Sequence, residues 1–304
     1  MKDPVRNIAA SILARLRNQA ENMDRPFAEV LQYYAMERFL YRLSKTKYAD
    51  KFILKGGLLF YVWSLPLRRP TKDIDFRGYT PHNRKDILKM INAVITEPAA
   101  ADGLAFDPQS ISVEETQIDA DYQGIRAKLT TLLEWSRIPI QIDIGFSDEL
   151  ASKAESIEYP NLLPDLKMAH LKGYPKEAVV AEKFHAMVRH AELNSRMKDY
   201  YDLWLLTQTF EFECHSLQKA IETTFGKRDT KLPVKRPVSL STDFASINQA
   251  RWNTFLKKLK LENSENEPLT DIIDQIWKFL KEPLQTSVNK SKSNRRWIPN
   301  KGWK

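Results

Sequence analysis

Asp73 and Asp75 stand one residue apart in the segment Arg69-Pro70-Thr71-Lys72-Asp73-Ile74-Asp75-Phe76. In an extended strand residues i and i+2 share a face, so both carboxylates project together while Ile74 and Phe76 point into a core. Like charges at that spacing repel, and a bound divalent cation relieves the repulsion. The same pattern also describes a solvent-facing acidic pair on an edge strand, although aspartate is depleted in strands. A third acid lies in Ile138-Pro139-Ile140-Gln141-Ile142-Asp143-Ile144-Gly145-Phe146, where the isoleucines share one face and Asp143 takes the other. If the two strands are neighbours, three carboxylates meet on one sheet surface. Metal-assisted attack on an α-phosphate needs that arrangement: two acids hold Mg2+ on a triphosphate, and the third binds a second metal or takes the proton of the attacking hydroxyl. The alternative for Asp143 is a plain strand-end residue.

Upstream, Leu54-Lys55-Gly56-Gly57-Leu58 reads as a strand running into a glycine pair and then a helix. Glycines there let backbone approach a phosphate, and a helix start offers free N–H groups; a plain tight turn has the same signature. Arg69 and Thr71, just before the acidic strand, have a guanidinium and a hydroxyl suited to phosphate. Thr71 equally suits a backbone turn. His185 and His190 are five residues apart on a helical pattern, face different ways and make a poor metal pair. No Walker-type loop and no nucleophile–base constellation can be placed.

The elements that must position these residues follow from periodicity. Helical patterns over 4–20 and 26–43 form an N-terminal pair, each with a proline near its start. Strand patterns cover 51–54, 73–77, 111–117, 122–133 and 138–146, with helices over 58–64 and 84–95. From residue 176 the pattern turns helical, over 176–191, 197–208, 215–225, 243–260 and 269–280. The expected class is α/β (α+β): a mixed sheet with flanking helices, then an α-helical C-terminal region. The expected domains are a helical pair at 1–50, an α/β core at 51–160, a helical domain at 161–284 that contributes to the active site, and a flexible basic tail at 285–304. The tail is rich in Ser, Asn, Lys and Arg, and Arg295, Arg296, Trp297 and Trp303 suit non-specific RNA contact.

Bulk properties narrow the classes. The 304-residue chain has 47 Lys and Arg against 39 Asp and Glu, a net charge of +8 that favours a polyanionic partner as well as a merely solvated basic surface. One cysteine, Cys214, excludes an intrachain disulfide framework and an all-Cys metal site, and suits a reducing cytoplasmic location. The first residues form an amphipathic pattern unlike a signal peptide, and no stretch nears the roughly 20 apolar residues of a membrane span, so no membrane association is expected.

Taken in order, the glycine pair, a helix and Arg-x-Thr-x-Asp-x-Asp resemble the opening motif of the polymerase-β-like nucleotidyltransferase superfamily. The form from Leu54-Lys55-Gly56-Gly57 through Arg69 and Thr71 to Asp73-Ile74-Asp75-Phe76 is similar to the AbiEii/AbiGii-type toxin family of type IV toxin–antitoxin systems. Three further segments resemble that family's later motifs: Ile142-Asp143-Ile144-Gly145-Phe146, Val180-Ala181-Glu182-Lys183-Phe184-His185-Ala186, and Arg196-Met197-Lys198-Asp199-Tyr200-Tyr201-Asp202-Leu203.

The resemblance implies metal ligation by Asp73, Asp75 and Asp143, and nucleotide contact by Lys55, Gly56, Gly57, Arg69, Thr71 and Lys183. It also implies that Asp199 or Asp202 completes the site. Read from the residues alone, Lys183, Asp199 and Asp202 suit a solvated helix face with surface salt bridges to Arg196 or Lys198. The implied activity moves a nucleoside monophosphate from an NTP to RNA, foremost the tRNA 3′ end, and so arrests translation and growth in toxin–antitoxin or phage-defence biology under a cognate antitoxin. Two other readings stand beside it: a nucleotidyltransferase with a small, antibiotic-like acceptor, which has no need of a basic surface, and a non-catalytic nucleotide- or RNA-binding module.

Overall fold

Period-two alternation through the first half of the chain builds a seven-stranded mixed sheet. Its strands are β1 Phe52–Lys55, β2 Asp73–Gly78, β3 Leu104–Asp119, β4 Tyr122–Leu133, β5 Ser136–Phe146, β6 Glu155–Tyr159 and β7 Ala169–Gly173, ordered β3-β4-β5-β2-β1-β7-β6. The structure, a computed structural model, describes residues 7–65, 70–79, 83–99, 101–119, 122–146, 153–259 and 267–304. Arg69 lies outside the described residues. β2 runs parallel to β5 and antiparallel to β1, while β4 pairs antiparallel with both β3 and β5.

One face of this sheet is apolar. Phe52, Leu54, Ile74, Phe76, Ile125, Ala127, Ile140, Ile142 and Ile144 are all buried there. Against the sheet pack α2 (Phe27–Lys45), which contacts β5 and β7, and α4 (Arg84–Thr96), which contacts β3. α1 (Ile8–Asn22) lies on α2, and α3 (Leu58–Val62) follows β1. α2 is buried almost all round from Val30 to Leu43, so its polar residues need partners inside the protein. Arg42 forks onto Asp102 at 2.6 and 3.1 Å, and Glu37 accepts from the Leu162 backbone N–H at 2.7 Å and from Arg38 at 3.2 Å. Burial outweighs those partners and pushes the Glu37 carboxyl up to about 7.

The chain forms two compact units that divide between Tyr174 and Pro175. The expected boundary at 160/161 falls inside the first unit. Residues 155–173, where the sequence pattern places no strand, contribute β6 and β7, and β7 joins β1 in parallel at Ile53↔Lys172 and Leu54↔Gly173. Each of these strands has five residues, too few for alternation to stand out from a loop.

The second unit contains α5 Lys176–His190, α6 Met197–Thr209, α7 Cys214–Lys227, α8 Thr242–Lys258 and α9 Leu269–Val288, with a small sheet ordered β10-β9-β8. The expected flexible tail is folded here. α9 runs past residue 285, and β9 (Arg296–Ile298) pairs with β8 (Phe212–Glu213) and with β10 (Gly302–Trp303). Trp297 and Trp303 are buried around Phe279, each donating its indole N–H to a backbone carbonyl, of Thr207 and Phe279 respectively. Two tryptophans bury enough apolar surface to order a polar segment of this length. Their rings are therefore not free to stack on RNA bases, and Arg295 and Arg296 pair with Glu282, Glu211 and Glu213.

Candidate active site

β2 and β5 lie side by side with Asp75 opposite Asp143 and Asp73 opposite Gln141. Residues paired across neighbouring strands share a face. The register therefore sets a row of charges across the sheet: Lys55, Asp75, Asp143, Arg126 and Glu114 on β1, β2, β5, β4 and β3. A second row, two residues away on the same face, runs Asp73, Gln141, Lys128, Ser112. One carboxylate oxygen each from Asp73, Asp75 and Asp143 lies within 4.8 Å of the others. Hard oxygen donors at that separation fit a divalent cation such as Mg2+ or Mn2+.

The three acids differ in surroundings. Asp73 and Asp75 are half-buried, whereas Asp143 is buried. Arg126 grips both oxygens of Asp143, Nε to Oδ1 at 2.7 Å and Nη2 to Oδ2 at 2.9 Å, and Gln141 adds a bond to Oδ2 at 3.2 Å. The bond to Asp143 holds the Arg126 guanidinium above its ordinary range, with Asp73 contributing in the same sense.

Gly56 is demanded by this geometry. Its φ is +74°, and a Cβ built on it would lie 1.9 Å from Asp75 Oδ2, so only glycine lets the carboxylate sit against the backbone. Gly57 has an ordinary helical φ of −67° and needs no glycine for its conformation. The helix that follows has only five residues, so the expected contribution of a helix N-terminus to phosphate binding is small. Lys55 reaches over the sheet towards β5, its ammonium 3.8 Å from where a Gly145 Cβ would stand. Thr71 is buried, and its backbone N–H donates to the Tyr33 hydroxyl on α2 at 3.0 Å, which ties the approach to β2 to the main helix.

In the second unit Lys183 on α5 and Asp199 and Asp202 on α6 come together. The Lys183 ammonium donates to Asp199 Oδ1 at 2.9 Å and to Asp202 Oδ2 at 2.7 Å, and Arg196 Nε donates to Asp199 Oδ2 at 2.6 Å. The aspartate side chains are 0% and 2% exposed, so this is a buried ion cluster and not a solvated face. Burial pushes the Asp199 carboxyl up, but Lys183 and Arg196 outweigh it and hold the group below the usual carboxylate range. His185 is buried against Thr230 and Arg228 and has a structural role.

Sequence reasoning missed Arg126 and Gln141. The signal for Arg126 was the strand pattern of 122–133, in which Arg126 and Lys128 alternate with buried Ile125, Ala127 and Leu129. Folding that strand back on β5 about the short connection at Glu134 and Trp135 sets Arg126 opposite Asp143.

The sequence profile of the family described as nucleotidyl transferase AbiEii toxin, type IV TA system, matches residues 38–280. No curated protein matches the chain. Among solved structures, JHP933 from Helicobacter pylori aligns with 15% identity and a TM-score of 0.49 over 86% of this chain and 94% of its own. An H. pylori protein assigned as a nucleotidyltransferase aligns with 14% identity and a TM-score of 0.45 over 87% of this chain and 98% of its own.

Proposed function

The chain belongs to the AbiEii family of nucleotidyl transferase toxins, and from that premise we propose that it is a Mg2+-dependent enzyme that transfers a nucleoside monophosphate from an NTP to RNA, at the 3′ end of tRNA. The observation that supports this reading best is the convergence of Asp73, Asp75 and Asp143 within 4.8 Å on one sheet face. The acceptor hydroxyl forms a new bond to the α-phosphorus, the bridging P–O bond breaks, pyrophosphate leaves, and a carboxylate oxygen accepts the hydroxyl proton. Asp73, Asp75 and Asp143 would hold a divalent cation, which when bound would supply Lewis-acid stabilisation of the charge developing on the phosphate oxygens.

The other roles belong to the chain's own groups. Gly56 lets Asp75 sit against the backbone, Lys55 adds positive charge beside the acids, and Thr71, together with the Arg69 of the same sequence motif, is proposed to contact the triphosphate. Lys183, Asp199 and Asp202 are proposed as catalytic residues on the strength of the family motifs they belong to. The +8 net charge suits a polyanionic acceptor, because neutralising phosphates dominates such affinity. Modified tRNA cannot be charged or used, so translation and growth stop, and a cognate antitoxin restrains the enzyme in the cytoplasm. No helix among the described residues is long and apolar enough to cross a membrane.

The test is incubation with each α-labelled NTP, Mg2+ and total tRNA. Label should enter tRNA with the wild-type chain and not with Asp75→Asn. Label appearing instead on a small hydroxylated acceptor would replace the RNA reading, and no covalent label on any acceptor would leave only a binding module.

A further inference from the structure

Within the charge row, Arg126 stands apart because it already occupies the acid that a divalent cation needs. A guanidinium fork uses both carboxylate oxygens in the plane of their lone pairs, the same directions from which a metal coordinates. Arg126 does this to Asp143 at 2.7 and 2.9 Å, and Gln141 takes a further acceptor position on Oδ2 at 3.2 Å. Asp143 is the buried one of the three acids, and a desolvated charge of that kind must be paired, as Arg126 pairs it. Asp143 is thereby held in line beside Asp75 against the repulsion of two neighbouring carboxylates.

We propose that Arg126 is a resident competitor for the third carboxylate. While no divalent cation is bound, its fork keeps Asp143 in the row, and a cation that engages Asp143 must take at least one oxygen from that fork. Engagement of Asp143 is the step that Arg126 opposes, so Arg126 sets how readily the full triad loads. It is a positioning residue that acts through Asp143. The inference rests on the triad being the cation site, as in the function proposed above.

The test is Mn2+ binding to the full chain without nucleotide, read from the EPR signal of free Mn2+, for wild type, Arg126→Gln, Arg126→Lys and Asp75→Asn. Removing a charge-assisted fork should tighten Mn2+ binding about tenfold or more in Arg126→Gln. Arg126→Lys, with a single ammonium in place of the fork, should tighten it by less. Unchanged or weaker binding in Arg126→Gln would overturn the proposal while leaving the metal site standing. Should that variant lack native near-UV circular dichroism, Arg126→Lys decides the matter by the same criterion. Wild-type affinity in Asp75→Asn would show that the triad is not the Mn2+ site and would overturn both this inference and the reading beneath it.

Discussion

Replacing Gly56 by alanine adds a single methyl group against the proposed metal ligand, and its effect can be worked out from the geometry. At φ +74° an L-residue costs roughly 1–2 kcal/mol in backbone strain. The new Cβ would start 1.9 Å from Asp75 Oδ2, whereas ordinary contact begins at 3.4 Å, so the carboxylate must retreat by about 1.5 Å. A misplacement near 1 Å at a reacting centre costs about 10²-fold in rate. Gly56→Ala should therefore lower nucleotide transfer by about 10²-fold or more while costing only about 1–2 kcal/mol of stability, because the clash falls on one half-buried side chain. Gly145→Ala is the matched control on the same face. Its Cβ would meet only the Lys55 ammonium, at 3.8 Å, and its rate should stay near wild type. Initial rates with labelled NTP and urea denaturation measure both quantities. A Gly56→Ala enzyme transferring within about threefold of the wild-type rate would refute the placement of Asp75 at the reacting centre, since the displacement cannot be avoided without moving the backbone.

Lys183→Ala removes the ammonium shared by two buried aspartates and leaves Asp199 its bond to Arg196, so it should destabilise the second unit by about 3 kcal/mol, the low end for breaking a buried pair. Loss of activity in that variant therefore does not identify a catalytic lysine; Lys183→Arg, which keeps the charge, is the informative change, and a chemical-denaturation midpoint equal to wild type in Lys183→Ala would contradict the buried cluster. Glu37 loses its proton near 4.5 in the unfolded chain and at about 7 in the folded one. Between those values the folded state holds a proton that the unfolded state has lost, so this group's contribution falls as pH rises, by about 3 kcal/mol across the window. Glu37→Gln should flatten that part of the stability–pH curve, and identical curves for variant and wild type would rule out the assignment.

Much of the proposed site is legible along the chain because its signals are local. Asp73-x-Asp75 and the isoleucine-flanked Asp143 each announce one polar face of a strand through period-two alternation, which needs only a few consecutive residues. The long strand β4 and the helices of the second half are readable for the same reason, since each repeats its pattern over many residues. β6 and β7 escape because five residues carry too little repetition. The tail escapes because its composition is that of a disordered segment, while its order comes from two tryptophans that find Phe279 only in the folded unit.

What only the tertiary structure decides is which faces meet. Asp75 sits beside Asp143 through the parallel pairing of β2 and β5, strands separated by some 60 residues, and no local preference encodes that register. The same holds for Arg126. Its charge and its alternation are visible in the sequence, but its fork on Asp143 exists because a hairpin register sets the two residues opposite each other. Lys183, Asp199 and Asp202 make the complementary case. Their helical spacing is plain from the sequence, yet that spacing is the same for a solvated face and a buried ion cluster, and only the packing of α5 against α6 takes the two aspartates out of water. Alternation and spacing fix where a side chain points relative to its own backbone, whereas burial and partner depend on contacts between distant segments, which are set only when the whole core closes.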